Sequence, residues 1–302
     1  MSAELIGVDW GTTNLRAFRY DDKGRVLESR RSNAGVGTVI GDAFEATLCE
    51  LIFGWFTPET RVFISGMAGS REGWIEAPYV ACPANLIALA ARLVRAPSQR
   101  LREVWIAPGL RADRPDGISE IMRGEETQIF GALETREPAL VIAPGTHSKW
   151  ARVDRGHVID TRTYMTGEVY ALLRTRSILS RLINADDANP DAFALGVKRS
   201  LDNNSLLNLL FTARSEGLFE HIAPRSLASY LSGLLIGAEI AEGRAAQRLS
   251  VDAPILIVSA AELAAHYKTA LEVSGFTKVE TMDGEDAAAC GLWRLAELKG
   301  PK

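Results

Sequence analysis

The fold is decided by the stretch GTTNLRAFRYDDKGRVLESR, residues 11–30. Apolar and polar residues alternate on both sides of Asp22-Lys23-Gly24, and this tripeptide is typical of a hairpin turn. The preceding run ELIGVDW, residues 4–10, is short, apolar and typical of a buried strand. We therefore predict that the chain opens with an antiparallel meander of three strands, beginning at Glu4.

The same pattern returns in the second half of the chain. Another apolar run is followed by GTHSKWARVDRGHVIDTR, residues 145–162, in which Gly-Thr, a strand, a glycine turn and an alternating strand keep the same order. The segments GRVLESR, 24–30, and GHVIDTR, 156–162, agree in character along their length. Any two hairpins of similar length look alike, but here the Gly-Thr pair and the turn repeat together. This internal repeat predicts an α/β protein of two similar lobes, each with a mixed sheet opened by a meander and flanked by helices.

Helical and strand periodicities complete the two lobes. In the first half they predict helices at 42–56, 85–95 and 125–133, and strands at 61–65 and 103–107. In the second half they predict helices at 168–183, 191–201, 205–215, 226–244 and 260–274, strands at 254–258 and 278–281, and a terminal helix from Glu285. An interruption near 135–138 divides the chain into lobes 1–137 and 138–302, with the terminal helix 285–298 as an element that could pack back across them.

The composition excludes several classes of protein. Hydrophobic residues make up 47% and charged residues 24% of the chain, which is typical of a globular protein and not of a disordered, collagen-like or coiled-coil one. The net charge of −4 lacks the basic surplus of a nucleic-acid-binding protein. The longest apolar runs are far shorter than the roughly 20 residues that span a bilayer, and a strand from Glu4 leaves no room for a signal peptide. We expect neither nucleic acid nor membrane as a partner.

The cysteines indicate the compartment. Cys49, Cys82 and Cys290 lie far apart and lack the CxxC spacing of a zinc site, and the histidines lack HExxH spacing. The sequence therefore predicts reduced thiols, a cytoplasmic protein and no zinc site.

Asp9 and the turn Gly11-Thr12-Thr13 form the first candidate site. Glycine lets the backbone approach a ligand closely, and backbone N–H groups together with threonine hydroxyls can then bind phosphate oxygens. Asp9, at the end of the strand, could anchor a hydrated Mg²⁺ ion, which prefers carboxylate and water ligands. The alternative is a plain hairpin turn capped by Asp9.

The repeat supplies a second turn of this kind, with Gly145, Thr146, Ser148 and Lys149 as candidate phosphate ligands. A pair of such hairpins is a more specific signal than one. Lys149 could reach a phosphate, although its alternating position also suits a solvated strand face. We expect His147 to be a hydrogen-bonding loop residue rather than a base.

The paired hairpins resemble the phosphate-1 and phosphate-2 loops of the actin/sugar kinase/Hsp70 ATPase superfamily. Over residues 5–295, longer motifs are similar to the 2-dehydro-3-deoxygalactonokinase family: VDWGTTNLRAF (8–18), SGMAGSREGW (65–74), EAPYVACPA (76–84), MRGEETQIFGAL (122–133), APGTHSKWARV (143–153), TYMTGE (163–168) and SGLLIGAEI (232–240). The resemblance implies a two-lobed actin/ribonuclease-H-like ATPase fold with the nucleotide between the lobes. Residues 1–137 would form the sugar-acid side with the first phosphate hairpin, and 138–302 the nucleotide side with the second.

The resemblance also implies an activity. It is the ATP-dependent phosphorylation of 2-dehydro-3-deoxy-D-galactonate at its terminal C6 hydroxyl, with Mg²⁺, in galactonate catabolism. The partners would be ATP and the small sugar acid, and a homo-oligomer is compatible with both. Three alternatives stay open: a kinase for a related 2-keto-3-deoxy sugar acid, a phosphatase-like relative in which water replaces the sugar hydroxyl, and a non-catalytic sugar sensor that depends on nucleotide.

Two departures from the superfamily pattern concern the nucleotide side. The second phosphate loop often begins with an aspartate, whereas this chain has Ala143 and Pro144. The magnesium network would therefore depend on Asp9. The adenosine loop usually carries glycine after a strand, whereas Ser259 and Ala260 occupy that place here. Small residues still allow the nucleotide to approach closely.

Glu125 and Glu126 begin a helix after Gly124, in a position that resembles that of the superfamily's helix-start acidic residue. Phosphoryl transfer to an alcohol needs a group that orients the hydroxyl and accepts its proton. Adjacent helical residues point about 100° apart, so one carboxylate should face the substrate, and we favour Glu125. The alternative is that both carboxylates only complement the positive helix N-terminus.

Further candidates lie on the sugar-acid side. Arg71 and Trp74 could bind the carboxylate of the sugar acid and stack on its carbon chain, or could belong to a surface loop. The other candidate contacts are Asn14, Arg16, Ser70 and Arg123. The two arginines Arg16 and Arg123 are weaker candidates, because the first could face solvent and the second could pair with an acid.

Overall fold

The computed structural model describes residues 5–41, 43–183, 188–202 and 205–300. Positions 4 and 42, where the sequence predicts the starts of the first strand and first helix, lie outside these ranges. The chain divides into two compact units. Unit 1 comprises residues 1–137, 153–161 and 282–302, and unit 2 comprises residues 138–152 and 162–281.

Strands and helices are numbered along the chain. The strands are β1 Leu5–Trp10, β2 Leu15–Tyr20, β3 Val26–Ser32, β4 Arg61–Gly66, β5 Tyr79–Ala81, β6 Val94–Arg95, β7 Glu103–Ile106, β8 Gly109–Asp113, β9 Ser119–Met122, β10 Leu140–Ala143, β11 Ser148–Asp154, β12 His157–Tyr164, β13 Ile255–Val258 and β14 Val279–Met282. The helices are α1 Phe44–Leu51, α2 Leu86–Ala90, α3 Glu125–Ala132, α4 Thr166–Arg176, α5 Pro190–Asp202, α6 Leu206–Leu218, α7 Leu227–Gln247, α8 Ala261–Val273 and α9 Gly284–Lys299.

Unit 1 contains a six-stranded mixed sheet in the order β3-β2-β1-β4-β7-β6. β1 and β3 are antiparallel to β2, whereas β4 is parallel to both β1 and β7. The Asp21 carboxylate closes the β2–β3 turn by accepting the N–H groups of Lys23 and Arg25 at 2.9 and 2.8 Å. The predicted N-terminal meander is confirmed.

A second sheet, in the order β12-β11-β10-β13-β14, repeats this arrangement. β10 is antiparallel to β11 and parallel to β13, just as β1 is antiparallel to β2 and parallel to β4. The repeat that the sequence predicts is therefore a repeat of backbone topology, and each phosphate hairpin joins equivalent strands.

One predicted helix, 85–95, is wrong in its second half. The Asn85 side chain accepts the Ala88 N–H at 3.0 Å and begins α2, but the helix ends at Ala90. Val94–Arg95 instead pair with β7 as an edge strand. Pairing with an open sheet edge has overridden the local helical pattern.

The helix predicted at 168–183 is also interrupted. α4 ends at Arg176, and a short 3₁₀ helix, Ile178–Arg181, follows. The Ser177 hydroxyl accepts the Leu179 N–H at 3.0 Å and so starts this second helix.

The small sheet β5-β8-β9 in unit 1 is absent from the sequence prediction. Its strands have only three to five residues, which is too short for alternation to be recognised. The sheet matters for the candidate site, because β9 ends at Met122 and leads through Arg123 and Gly124 directly into α3.

Each unit has its own hydrophobic interior. In unit 1 the sheet and α1 bury one cluster that includes Val8, Trp10, Leu48, Ile52 and Ile64. In unit 2 the sheet with α5, α7 and α8 buries a cluster that includes Trp150, Val197, Ile240, Ile257 and Tyr267. The helices α5, α6 and α7 bury another around Leu209, Tyr230 and Leu234.

α9 crosses α3 very closely, because both helices carry glycine at the crossing. A Cβ atom on Gly131 would overlap the carbonyl oxygen of Ala287, and one on Gly291 would overlap that of Thr127. This packing explains why residues 282–302 group with unit 1, although the sequence division assigns them to the second lobe. The crossing fixes the position of α3, which begins at Glu125.

We predict that Gly291→Ala destabilises the protein. The added methyl group cannot fit against the Thr127 carbonyl unless α9 moves away from α3, so the free energy of unfolding should fall by about 1–3 kcal/mol in urea denaturation. Glu297→Ala, at an exposed position of α9, should change it by less than about 0.5 kcal/mol. Equal stability of Gly291→Ala and the wild type would contradict the close crossing.

Candidate active site

The first candidate phosphate hairpin joins β1 to β2. The Gly11 N–H donates to the Asn14 carbonyl at 2.9 Å. From outside the hairpin, the N–H groups of Val36 and Gly37 donate to the carbonyls of Gly11 and Thr12, each at 3.0 Å. The hairpin is thus held through its carbonyl groups, while the side chains that follow Gly11 are exposed: Thr12, Thr13 and Asn14.

The second candidate phosphate hairpin joins β10 to β11. The Glu168 N–H, in the first turn of α4, donates to the Thr146 carbonyl at 2.9 Å. The Glu168 carboxylate also contacts Nε2 of His147 at 2.6 Å. His147 is therefore engaged as a hydrogen-bonding loop residue. Gly145 is partly exposed and Thr146 is exposed.

A glycine supports each hairpin from behind. A Cβ atom on Gly35 would overlap the backbone of Thr12, and one on Gly167 would overlap the carbonyl of Gly145. Each glycine lies just after the last strand of its meander, so the internal repeat extends beyond the hairpins. Sequence reasoning missed both residues, and this common position after the third strand is the signal that could have found them.

Ser148 and Lys149 point into unit 2. Ser148 is fully buried, and its hydroxyl donates to Oε1 of Glu239 at 2.6 Å. Lys149 is 7% exposed, and its Nζ donates to the Thr163 hydroxyl at 3.1 Å. Lys149 therefore does not lie on a solvated strand face, and Ser148 would meet a phosphate through its backbone rather than its hydroxyl.

Asp9 ends an ion-pair chain within unit 1. Its Oδ2 lies 3.4 Å from Nη1 of Arg16, and Nε of Arg16 lies 3.2 Å from Oε1 of Glu285 at the start of α9. Burial raises the pKa of Asp9, and Arg16 opposes that rise. Arg16 thus has acidic partners on two sides, which argues for a supporting role rather than contact with the sugar acid.

The start of α3 separates the two adjacent carboxylates. Glu126 is fully buried; its Oε2 accepts the Gly124 N–H at 2.6 Å and its Oε1 accepts the Thr127 hydroxyl at 3.2 Å. Burial, together with the neighbouring Glu125, raises the pKa of Glu126 to about 8. Glu125 is only partly buried, with its Oε2 atom buried, so it is the more exposed member of the pair.

Buried hydrogen-bond donors without protein partners lie in the segments around the start of α3. Nη2 of Arg123 donates to the Ala77 carbonyl at 2.8 Å, but its Nε and Nη1 have no hydrogen-bond partner among the described residues. The hydroxyls of Ser65 and Ser70 are likewise buried without a partner there. A buried polar group without a partner costs about 1–3 kcal/mol of folding free energy. These donors are therefore candidates for hydrogen bonds to oxygen atoms of a ligand.

The backbone is arranged to bring these segments together. Gly66, at the end of β4, and Gly124, before α3, both have positive φ angles, of 93° and 108°. A Cβ atom on Gly124 would lie 3.2 Å from the Gly66 Cα, and one on Gly69 would lie 2.8 Å from Nη1 of Arg123. Larger residues at these positions would separate Arg123 from the end of β4.

Arg71 and Trp74 follow Ser70 in the segment between β4 and β5. They border a cavity of about 530 Å³ together with Phe44, Glu45 and Ser98. The Arg71 side chain is 87% exposed and pairs with Glu76 at 3.2 Å. The Trp74 ring stacks on Phe44, with centroids 6.3 Å apart. Arg71 is accessible to an anion, whereas one face of Trp74 is already covered.

Unit 2 has a cavity of about 410 Å³ beside the second hairpin. Gly145, Thr166 and Gly167 line one side of it, and α8 and the residue before it supply others: Ala260, Glu262, Leu263, His266 and Tyr267. The Ser259 hydroxyl donates to the Pro144 carbonyl at 3.3 Å and so joins the end of β13 to the hairpin. The predicted adenosine loop and second phosphate hairpin therefore border one cavity.

The cysteines Cys49, Cys82 and Cys290 are unpaired thiols. Within the described ranges, no group of three or more histidine, cysteine, aspartate or glutamate side chains could hold a metal ion. No helix in those same ranges is long and apolar enough to cross a membrane.

Comparisons with known proteins define the class of this protein, which is a carbohydrate kinase. A family model described as 2-keto-3-deoxy-galactonokinase matches residues 9–295. The chain belongs to this family, and the family resemblance stated from the sequence is confirmed.

Individual relatives agree with this assignment. The 2-dehydro-3-deoxygalactonokinase of Escherichia coli (strain K12) is 36% identical over 296 residues, which cover 98% of each chain. A crystal structure of a candidate 2-dehydro-3-deoxygalactonokinase from Sinorhizobium meliloti is 34% identical with a TM-score of 0.88, over 99% of this chain and 100% of that one.

A distant structure is similar in fold alone. The activator of the 2-hydroxyisocaproyl-CoA dehydratase from Clostridium difficile, with bound ADPNP, is 12% identical with a TM-score of 0.54, over 98% of this chain and 96% of that one. The predicted fold class, a two-lobed actin/ribonuclease-H-like ATPase fold, is confirmed.

The raised pKa of Glu126 predicts how stability depends on pH. Between its ordinary value of 4.5 and about 8, folded Glu126 keeps a proton that the unfolded chain releases. Stability from this group is therefore lost as the pH rises, by up to about 1.4 kcal/mol per pH unit. Glu126→Gln, which is neutral at every pH, should gain stability relative to the wild type across this window in urea denaturation.

The exposed Glu59 supplies a control for this experiment. Glu59→Gln should leave the pH dependence of the free energy of unfolding parallel to that of the wild type. If the pH dependence of the free energy of unfolding of Glu126→Gln is also parallel to that of the wild type, Glu126 is not held protonated by burial.

Proposed function

We propose that this protein transfers the γ-phosphoryl group of ATP to the C6 hydroxyl of 2-dehydro-3-deoxy-D-galactonate, a step of galactonate catabolism. The observation that carries the proposal is the place of the partly buried Glu125 at the start of α3, two residues after Arg123, whose Nε and Nη1 have no hydrogen-bond partner among the described residues. The similarity to the Escherichia coli enzyme over nearly the whole chain supports the same substrate. A cytoplasmic location is part of the proposal and is supported by the three unpaired thiols.

Unit 1 would bind the sugar acid. Arg123 offers two buried N–H-bearing nitrogens to the substrate carboxylate, which a guanidinium can bind bidentately, and the hydroxyls of Ser65 and Ser70 offer further donors. Asn14 and Arg71 would contribute at the exposed rim. Trp74 would border the substrate by its uncovered surface. Arg16 would act indirectly, by holding Asp9.

Glu125 would serve as the general base. Its place in the first turn of α3, fixed by the crossing with α9, would let it accept the proton of the C6 hydroxyl during transfer. Glu126 would stabilise the backbone at the start of α3, because its buried carboxyl group accepts the Gly124 N–H and closes the turn there.

Unit 2 would bind the nucleotide. The cavity beside the second hairpin has room for the adenosine, with Ser259 and Ala260 at its edge allowing a close approach. The backbone of Gly145 and Thr146 would bind phosphate oxygens, as Gly11, Thr12 and Thr13 would in the first hairpin. Lys149 would add positive charge behind the second hairpin.

The residues beside the first hairpin could hold Mg²⁺ as a hydrated ion. A hydrated ion that takes one protein carboxylate and the nucleotide phosphates needs no larger protein cluster, and Asp9 is a 12% exposed carboxylate next to the first hairpin. Bound there, the ion would neutralise charge that develops on the phosphates during transfer. Arg16 would keep the Asp9 carboxylate oriented.

The activity and the base can be tested together. With ATP, Mg²⁺ and a panel of 2-keto-3-deoxy sugar acids, ADP release should be fastest for the galactonate-derived acid. Glu125→Gln should lower kcat by about 10²–10⁴-fold, because the hydroxyl loses its proton acceptor, while sugar-acid binding changes little. ADP release that does not depend on any sugar acid would contradict kinase activity. If Glu125→Gln has a normal kcat and Glu126→Gln has a much lower one, the general base is Glu126.

Asp9→Asn tests the magnesium anchor. If Asp9 orients hydrated Mg²⁺, the loss of charge should lower kcat at least about 100-fold and alter its Mg²⁺ dependence, with little change in melting temperature. Asp21→Asn is a matched control, because that carboxylate accepts the Lys23 and Arg25 N–H groups of the β2–β3 turn and pairs with the Arg25 guanidinium, away from the first hairpin. The substitution should cost about 1 kcal/mol of stability or less and keep full activity. Near-normal turnover of Asp9→Asn with unchanged Mg²⁺ dependence would show that Asp9 is structural.

A further inference from the structure

Glu239, in the middle of α7, is a buried carboxylate with no role in the function proposed above. It is 3% exposed. Its Oε1 accepts the Ser148 hydroxyl and the Trp150 Nε1–H, both at 2.6 Å, and its Oε2 accepts the Tyr267 hydroxyl at 2.6 Å. The Thr166 hydroxyl donates to the same carboxylate.

These donors come from elements that are separate in the chain. Ser148 and Trp150 begin β11 directly after the second phosphate hairpin, Thr166 is the first residue of α4, and Tyr267 lies in α8. Thr166 and Tyr267 also line the cavity of unit 2 beside Gly145. One carboxyl group therefore connects the base of the hairpin with two walls of the cavity.

The chemistry of the donors favours a charged carboxylate. The indole N–H of Trp150 can only donate, and the three hydroxyls can donate as well, so an ionised Glu239 has all its hydrogen bonds satisfied. Burial raises the pKa of Glu239, and these hydrogen bonds oppose the rise. A buried charge is costly, and an apolar residue could fill the same space at lower cost. The polar contacts must therefore serve something other than packing.

We propose that Glu239 is a positioning residue for nucleotide binding. Acting through Ser148, Thr166 and Tyr267, it sets the second phosphate hairpin and the adjoining cavity walls at the separation that the nucleotide needs. The inference rests on the proposed function only for the identity of the ligand in the cavity; the ordering of the hairpin by Glu239 does not depend on it.

Glu239→Gln tests the proposal. The amide NH₂ cannot accept a hydrogen bond, so at least one donor loses its partner. We expect faster amide hydrogen exchange in residues 145–149 and 166–168 than in the wild type, measured without nucleotide. The Kd for ADP by calorimetry and the KM for ATP should each rise by about 10–100-fold, with the KM for the sugar acid unchanged. Tyr267→Phe removes one hydroxyl donor and should give the same pattern with a smaller change.

Ser200→Ala is the matched control. The Ser200 hydroxyl is buried and donates to the Leu234 carbonyl at 2.7 Å, so its loss also removes a buried hydrogen bond to α7, but away from the hairpin. This variant should lower the melting temperature and leave both the exchange at 145–149 and the Kd for ADP unchanged.

The possible failures are distinguishable. If Glu239→Gln lowers only the melting temperature, as Ser200→Ala should, the positioning role is overturned. If Glu239→Gln does not fold, normal exchange and normal ADP binding in Tyr267→Phe overturn it. If the wild type does not bind ADP, the nucleotide assignment fails, while the exchange of residues 145–149 still decides whether Glu239 orders the hairpin.

Discussion

Each of the two candidate phosphate hairpins has a backbone shape that depends on a glycine from outside the turn. Gly35 lies against the backbone of Thr12, and Gly167 lies against the carbonyl of Gly145, at distances where no side chain fits. The N–H groups of Val36, Gly37 and Glu168 then bind the hairpin carbonyls. With the carbonyls engaged on the protein side, the opposite side of each turn can serve an anion. Each meander is the scaffold that brings the glycine back to the hairpin it supports.

Buried carboxylates are the second feature that stability alone does not explain. Glu126 and Glu239 are buried and the Asp9 side chain is 12% exposed, and desolvation raises the pKa of each. The groups that compensate for the burial of these carboxylates differ. Arg16 pairs with Asp9, a single turn closes around Glu126, and donors from three elements surround Glu239. In each case the carboxylate lies directly beside a predicted site residue. The free-energy cost of its burial is consistent with a role in holding that residue in position.

The sequence predicted the meander, the internal repeat and the family, because these depend on local alternation, turn residues and long motifs. It failed at residues 94–95, where a sheet edge recruits the end of a predicted helix, and at β5-β8-β9, whose strands are too short to show a period. Such pairings depend on partners distant in the chain, and local propensity cannot reveal them.

The sequence predicted which residues belong to the candidate site better than it predicted the contacts that their side chains make. The sequence identified the acidic pair at the start of α3, but the full burial of Glu126 and the partial burial of Glu125 depend on how α3 packs against α9. It also identified Ser148 and Arg16, whose side chains turn to acidic partners within their own units. Glu239 lies in a motif that the sequence singled out, yet its role could not be inferred before its four donors were known.

The most direct test of the central claim is a ³¹P NMR spectrum of the complete reaction with ATP, Mg²⁺ and 2-dehydro-3-deoxy-D-galactonate. Transfer to the C6 hydroxyl should give a new phosphomonoester signal that is split into a triplet by the two methylene protons, together with ADP. A doublet would indicate phosphorylation of a secondary hydroxyl. Inorganic phosphate and ADP without any new phosphomonoester would indicate hydrolysis of ATP. Either the doublet or hydrolysis alone would contradict the proposed reaction.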